Sequence, residues 1–255
     1  MIRKLITAAT CALVLASVMG VAGCTPAIVE PTPAQSSQAP IPTPSQTTSD
    51  SAAVGSILFA HNSVGQNIID GMNAIDDGLF VGACDTPFGV GIRECTLGFN
   101  GDPTAKLAAF ERMMRDIGAE SQIAIFKLCY ADFQADTDID GLFEKYAATF
   151  RTLAQAYPDV IFVHMTAPLY AYDASWNNWV QHSFNEKLRA NYGDLVFDLA
   201  ALEALGSSGT LTVSRDGVTP ALAAQWSLDG SHLNPAGSQA IARALAEFLK
   251  KTSTR

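Results

Sequence analysis

The sequence predicts an α/β fold, with one parallel sheet covered by helices on both faces. Two observations carry the prediction. Short apolar runs of strand length recur along the chain, and between them apolar residues return every three or four positions, the period of a helix with one buried face. With 255 residues and 48% hydrophobic residues, the chain is long enough and apolar enough for a single buried core.

The elements follow in order. Ser56-Ile57-Leu58-Phe59 fits a buried strand, and Val64, Ile68, Met72 and Ile75 mark the helix after it. Residues 76–101 read as a long loop rich in Gly, Asp and Cys. Asp102-Pro103 is a helix start, with aspartate as cap and proline in the first turn, and Leu107, Phe110, Met113, Met114 and Ile117 continue its apolar face. A strand over 122–128 precedes a helix over 139–157, whose inward residues are Leu142, Phe143, Tyr146, Phe150 and Leu153. Strands over 160–163 and 195–197 flank a helix over 175–192, and a helix over 234–250 closes the chain. A fifth strand is expected within 206–226, where the pattern is poor. The folded domain spans 54–255, without internal repeats.

Composition narrows the function. Sixteen basic against 25 acidic residues give a net charge of -9, a poor match for nucleic acid, whose phosphates need a basic footprint. Five cysteines are too few for a disulfide scaffold, and no C-x-x-C pair suggests zinc.

The N-terminus reads as an address. Arg3 and Lys4 precede an apolar run over 6–18, and Val21-Ala22-Gly23-Cys24 follows. A transmembrane helix is the alternative, but the run is short for a span. Small residues directly before a cysteine resemble a bacterial lipobox. That resemblance implies removal of a signal peptide over 1–23, lipid attachment at Cys24, export, and anchorage to the outer face of a bacterial membrane. Residues 24–53 hold six prolines among Ser, Thr, Gln and Ala, with no aromatic residue, and are expected to form a disordered tether.

In a parallel α/β sheet, ligands sit at the carboxyl ends of the strands. Two segments there can carry chemistry. His61-Asn62-Ser63-Val64-Gly65 leaves the first strand and opens the first helix. Ser63 can cap that helix, or it can present its hydroxyl as a nucleophile beside N–H groups that face a developing oxyanion. Leu228-Asp229-Gly230-Ser231-His232-Leu233-Asn234-Pro235 opens the last helix, with Asn234 as cap. Across that spacing a carboxylate can hold a histidine in the tautomer that accepts a proton from serine.

These blocks resemble the SGNH hydrolases, also called GDSL-type esterases. Phe184 to Arg189 and Phe197-Asp198-Leu199 also resemble the helix and strand before that family's closing block, and the likeness spans roughly residues 55–250. It implies a three-layer α/β/α sandwich with a flavodoxin-like parallel sheet, and Ser63, Asp229 and His232 as catalytic triad. The sequence departs from the family in two places. The usual Gly-Asp-Ser is His61-Asn62-Ser63. The third block, normally ending Asn-Asp, is Cys129-Tyr130-Ala131-Asp132, and Ala131 cannot donate to an oxyanion. The expected donors are then Ser63, Gly98, Asn100 and Gly101, with Asn62 as a substitute; one donor is worth about 3 kcal/mol in such sites.

Cys84 and Cys95 enclose ten residues, and in an exported protein they are expected to form a disulfide rather than two thiols. Cys129, ending an apolar strand, reads as a small buried residue. His61, Asn62 and His164 are positioned to contact substrate, though a structural histidine fits His164 equally. His61, His164 and His182 lack metal-site spacing, so no metal or cofactor is expected. Tyr170, Tyr172, Trp176 and Trp179 can stack on sugar faces or simply pack.

The expected function is hydrolysis of short-chain acyl or acetyl esters, with glycans outside the cell as substrates. Two alternatives stay open: acyl transfer to a glycan hydroxyl, and a non-catalytic module that binds glycan. Oligomeric state is not legible.

Overall fold

The computed structural model describes residues 54–76, 78–87, 89–171, 175–206 and 209–255, with the side chains of 175–177 also outside the described set. The expected signal peptide, Cys24 and the tether over 24–53 lie outside the described residues.

Strand β1 (Ser56–His61) sets the organisation. Its side chains alternate between two faces, as a strand's must. Ile57 and Phe59 enter one apolar cluster, while Leu58 and Ala60 enter the other. All four are fully buried, which places β1 in the middle of the sheet with a layer on each side.

Helix α1 (Val64–Ala74) follows, then β2 (Val81–Ala83), β3 (Gly91–Thr96) and α2 (Pro103–Asp116). The chain continues through β4 (Ile123–Lys127), α3 (Ile139–Ala156), β5 (Ile161–Met165) and α4 (Ser175–Tyr192). It ends with β6 (Val196–Phe197), α5 (Leu199–Ala204) and α6 (Pro235–Thr252). The six strands form one parallel sheet in the order β2-β3-β1-β4-β5-β6. The cluster around Ile57 and Phe59 includes Ile68 and Met72 of α1 and Ile241 and Leu245 of α6. The cluster around Leu58 takes Phe110 of α2, Tyr146 and Phe150 of α3, and Phe184 of α4. This is the expected three-layer α/β/α sandwich.

Caps agree with the residues that announced them. Asp102, Asp138, Asp198 and Asn234 each accept a backbone N–H of the first turn of α2, α3, α5 and α6. Pro103 and Pro235 stand in the first turns, where a missing N–H costs nothing.

Two expectations need correction. The segment 76–101, read as loop, contains β2 and β3. Among its described residues, the segment 206–226 supplies no sheet strand; it makes isolated bridges, such as Leu211 with Leu205 and Val213 with Pro220, and a 3-10 turn over Ala224–Trp226. Parallel neighbours normally need a crossover of a dozen or more residues. Here β2 is three residues long, and the seven residues 84–90 suffice to bring the chain back beside it. Nothing in a strand–helix pattern announces so short a return.

A disulfide between Cys84 and Cys95 closes this segment, with the Cα atoms 4.7 Å apart. Ala83 pairs with Glu94 in the sheet, so the disulfide extends the β2–β3 register by one step. Cys129 is a buried free thiol, as read from the sequence. Closing an 11-residue separation stabilises by about 3 kcal/mol through loss of unfolded-state entropy. Cys84→Ser with Cys95→Ser is expected to lower unfolding free energy by about that amount in urea titration. An unchanged midpoint would show that β2 is held by other means.

Candidate active site

The turn between β1 and α1 is built around Ser63. Its backbone lies at φ 50° and ψ -108°, and among the described residues it is the one non-glycine residue with positive φ. Such a conformation costs on the order of 1–3 kcal/mol and persists only where the surroundings impose it. The turn is held by Gly65 N–H to the Asn62 carbonyl (3.0 Å) and Gln66 N–H to the Ser63 carbonyl (2.7 Å). Glycine is required at position 65, because a Cβ there would overlap the His61 side chain. The Ser63 hydroxyl makes no capping bond to α1, so the capping role open to it in the sequence is not the one it takes.

Its hydroxyl instead meets His232. Ser63 Oγ lies 2.7 Å from His232 Nε2, and His232 Nδ1 lies 2.7 Å from Asp229 Oδ2. A carboxylate can only accept, so the imidazole carries its proton on Nδ1 and offers the Nε2 lone pair to serine. Asp229 is fixed in turn. Its Oδ1 accepts from the backbone N–H groups of His232 (2.7 Å) and Ser231 (2.8 Å). Hydrogen bonds from the His232 backbone and ring, then from Ser231, hold its carboxyl well below the usual range, so it stays ionised.

The second loop is docked against the first. Asn67 of α1 accepts the Leu233 N–H at 3.2 Å, and the Gly230 carbonyl accepts the Ala171 N–H at 2.8 Å. Within the helical layer, a Cβ on Gly71 of α1 would overlap the Ser238 carbonyl of α6. Glycine thus allows the two helices that follow the two reactive loops to approach closely.

Of the expected oxyanion donors, Gly101 is excluded, since its N–H is committed to Asp132 Oδ1 at 2.8 Å. Gly98 lies in a positive-φ turn (φ 29°), and its carbonyl accepts Asn62 Nδ2 at 3.0 Å. Asn62 therefore braces the loop that carries Gly98 and is not free to serve substrate alone. Asn100 Oδ1 accepts Lys106 Nζ at 2.7 Å, which turns its amide nitrogen into the donating end. The candidate donors are accordingly the N–H groups of Ser63 and Gly98 and the Asn100 amide.

A fully buried ion pair supports that loop. Lys106 Nζ lies 2.7 Å from Asp132 Oδ2, and the same oxygen accepts the Cys129 N–H at 2.7 Å. Asp132 thereby ties the turn after β4 to the Gly98–Gly101 loop.

His61 and His164 are corrected as substrate contacts. His61 is 1% exposed, with Nε2 against Glu94 Oε2 at 2.9 Å. His164 is 2% exposed, bonded through Nδ1 to the Tyr146 hydroxyl at 2.7 Å and stacked 3.6 Å from the Tyr192 ring. Both point into the protein from the strands that carry them. Burial, assisted at His61 by the charge of Lys127, lowers each to about 3. The neutral His61 donates to Glu94, despite the ion-pair distance. A cavity of about 600 Å³ bordered by Phe150, His164 and Tyr192 has no triad residue in its lining.

Tyr130 is the residue that the sequence did not single out. Its hydroxyl lies 2.9 Å from His232 Nε2 and 3.5 Å from Ser63 Oγ. In that block the departure from the family pattern lies at its neighbour Ala131, and one aromatic residue in a turn carries no pattern of its own. Tyr170 packs against it, with ring centroids 4.4 Å apart. Trp179 is 58% exposed; Tyr172 and the Trp176 side chain lie outside the described residues.

No protein-family model matches the chain, and no curated protein matches it. Solved structures do. A protein from Streptococcus pneumonia, provisionally described as a platelet activating factor, is similar with a TM-score of 0.51 and 17% identity, over 79% of this chain and 86% of that one. A lipase/acylhydrolase from Enterococcus faecalis is similar at TM-score 0.49 and 11% identity, over 77% and 95% of the two chains. The psychrotrophic esterase EstA from Pseudoalteromonas sp. follows at TM-score 0.47 and 13% identity, over 78% and 98%. At such identity, the likeness to the Streptococcus protein is one of fold: the α/β sandwich that the resemblance to SGNH hydrolases implies.

Two outcomes test this geometry. Lys106→Met leaves the Asp132 carboxylate buried without its cation and is expected to cost about 3–5 kcal/mol in urea unfolding. Adding Asp132→Asn should cost less than the two single changes summed; strict additivity would contradict a direct pair.

The second concerns pH. An unfolded histidine binds its proton near pH 6.5, whereas His61 and His164 do so only near 3 in the fold. The unfolded chain holds more protons in that interval, so each histidine withdraws up to about 1.4 kcal/mol per unit as pH falls. Ring Cε1–H NMR signals of both should stay flat from pH 7.5 to about 5; titration of either near 6.5 would refute its burial as a neutral group.

Proposed function

We propose that this protein is a serine ester hydrolase that removes short acyl groups, acetyl among them, from glycans outside the cell. The single observation that carries the reading is the continuous relay Asp229–His232–Ser63, with both links at 2.7 Å. A strained serine whose hydroxyl serves a histidine instead of its own helix cap is a costly way to build a merely structural turn.

The chemistry follows from the geometry. His232 Nε2 takes the Ser63 proton as Oγ attacks the acyl carbon, and the ionised Asp229 stabilises the imidazolium. The oxyanion falls to the N–H groups of Ser63 and Gly98 and to the Asn100 amide. The imidazolium then protonates the departing alcohol. Water attacks the acyl-serine with His232 as base, releasing the acid and restoring Ser63.

The setting favours a large substrate. The His232 and Asp229 side chains are 42% and 54% exposed, so the relay sits at the surface, where a polymer can approach. Phe99 follows Gly98 and Leu228 precedes Asp229 in the chain; at 92% and 89% exposed, they give these two loops apolar surface open to a partner. The lipobox-like Cys24 and proline-rich 24–53 support an exported protein, lipid-anchored at the outer face of the membrane and tethered away from it. Among the described residues, no helix is long and apolar enough to cross a membrane.

Hydrolysis of aryl and glycan acetates by the full chain tests the reading. Ser63→Ala and His232→Ala are each expected to lower kcat by about 10³-fold or more, and the double change should cost little beyond either. Asp229→Ala should leave a larger residue of activity. Undiminished turnover in Ser63→Ala would overturn the assignment.

A further inference from the structure

We propose that Tyr130 is a catalytic residue whose hydroxyl binds the oxygen exchanged opposite Ser63: the alcohol oxygen as it leaves and the water oxygen as it enters. The inference rests on the hydrolase reading above and adds a group to it.

The position of Tyr130 is imposed from several sides. It follows β4 in a single 3-10 turn over Tyr130–Asp132. Asp132 accepts the Cys129 N–H at 2.7 Å and so fixes the start of that turn. From α4, Gln181 Nε2 donates to the Tyr130 carbonyl at 3.2 Å. Asn178 of α4 clamps the Tyr170 backbone at both its N–H (2.7 Å) and its carbonyl (2.9 Å), and the Tyr170 ring packs against Tyr130. The phenol ring stands edge-on to the His232 imidazole at 5.8 Å between centroids. The hydroxyl is therefore held at the imidazole by packing and backbone bonds, without dependence on its own hydrogen bonds.

Proton logic assigns the role. His232 Nε2 has one lone pair and two hydroxyls in reach, Ser63 at 2.7 Å and Tyr130 at 2.9 Å. During turnover this nitrogen exchanges protons with two oxygens. One is Ser63 Oγ. The other is the leaving alcohol in the first half and water in the second, and it too must come within hydrogen-bond distance of Nε2. In the free protein Tyr130 Oη lies at the edge of that second place, where it can donate to an oxygen that enters it. The carbonyl oxygen takes no proton and develops its charge toward the N–H donors, so a hydroxyl sharing Nε2 belongs to the leaving-group side.

The steps balance. In acylation the Ser63 proton passes to Nε2 as the Oγ–C bond forms. The bond from carbon to the alcohol oxygen then breaks, that oxygen takes the proton from Nε2, and the Tyr130 O–H donates a hydrogen bond to it. In deacylation water gives a proton to Nε2 and its oxygen bonds to the acyl carbon, again beside Tyr130. The Oγ–C bond breaks and the proton returns to Ser63. Tyr130 keeps its own proton throughout; burial raises its phenol, which keeps it a donor at neutral pH.

The test compares Tyr130→Phe with the parent full chain on ethyl acetate and p-nitrophenyl acetate, reading kcat/KM, which reports acylation. Phenylalanine keeps the ring against Tyr170 and removes one oxygen. An alkoxide leaves poorly and needs the donor, whereas p-nitrophenolate does not. The expected loss is about 10²-fold on the alkyl ester and under about 5-fold on the aryl ester. The rate of fluorophosphonate labelling at Ser63 should be unchanged, since fluoride departs unaided, and this also reports an intact site. Equal losses on both esters, or none on either, would overturn the role of Tyr130 while leaving the hydrolase in place. A parent chain no faster than Ser63→Ala on both esters would instead remove the hydrolase reading itself.

Discussion

The closeness of α1 and α6 is the constraint on which the site depends. Ser63 ends the loop before α1, and His232 lies just before α6, 169 residues apart in sequence. The two helices cover the same face of the sheet and meet where Gly71 lies against the Ser238 carbonyl. No side chain larger than hydrogen fits there without moving one helix. Asn67 then reaches from α1 to the Leu233 backbone and sets the height of the histidine loop relative to the serine turn. The 2.7 Å contact between the two side chains follows from backbone packing, which is how a weak local preference becomes a fixed geometry.

A second level of support comes from buried polar groups that hold loops. Lys106 and Asp132 are fully buried and join the turn after β4 to the loop carrying Gly98 and Asn100. On the other side Asn185 of α4 binds both the N–H and the carbonyl of Ala167, and Asn178 does the same for Tyr170. Loops at the carboxyl edge of a parallel sheet have no ladder partners of their own, so side-chain amides and carboxylates replace them. Much of the polarity inside the domain is thus devoted to positioning the site's walls.

The sequence was legible wherever one period or one motif governed. The short apolar run of β1 and the helical spacing of Leu142, Tyr146, Phe150 and Leu153 need only local pattern, and the capping aspartates mark their helices unaided. Asp229 and His232 are three apart, close enough for spacing alone to suggest their bond. What escaped depends on distant neighbours. The strands β2 and β3 are joined by a return too short to look like a crossover. His61 and His164 sit at strand ends that face the active edge, yet their side chains turn into the layers, an orientation set by register with β3, β4 and β6. Gly101 looked like a free donor because the carboxylate that takes its N–H is 31 residues away. Tyr130 reaches His232 across 102 residues, a contact only the folded chain brings about.

The central claim is that His232 makes the Ser63 hydroxyl a nucleophile. Treating the full chain with a fluorophosphonate and locating the adduct by peptide mass spectrometry tests it most directly. The account predicts a single adduct at Ser63 that forms rapidly in the parent and is nearly abolished in His232→Ala, with Asp229→Ala in between. An unlabelled Ser63, or labelling equally fast without the imidazole, would contradict it and leave a fold that binds without turning over.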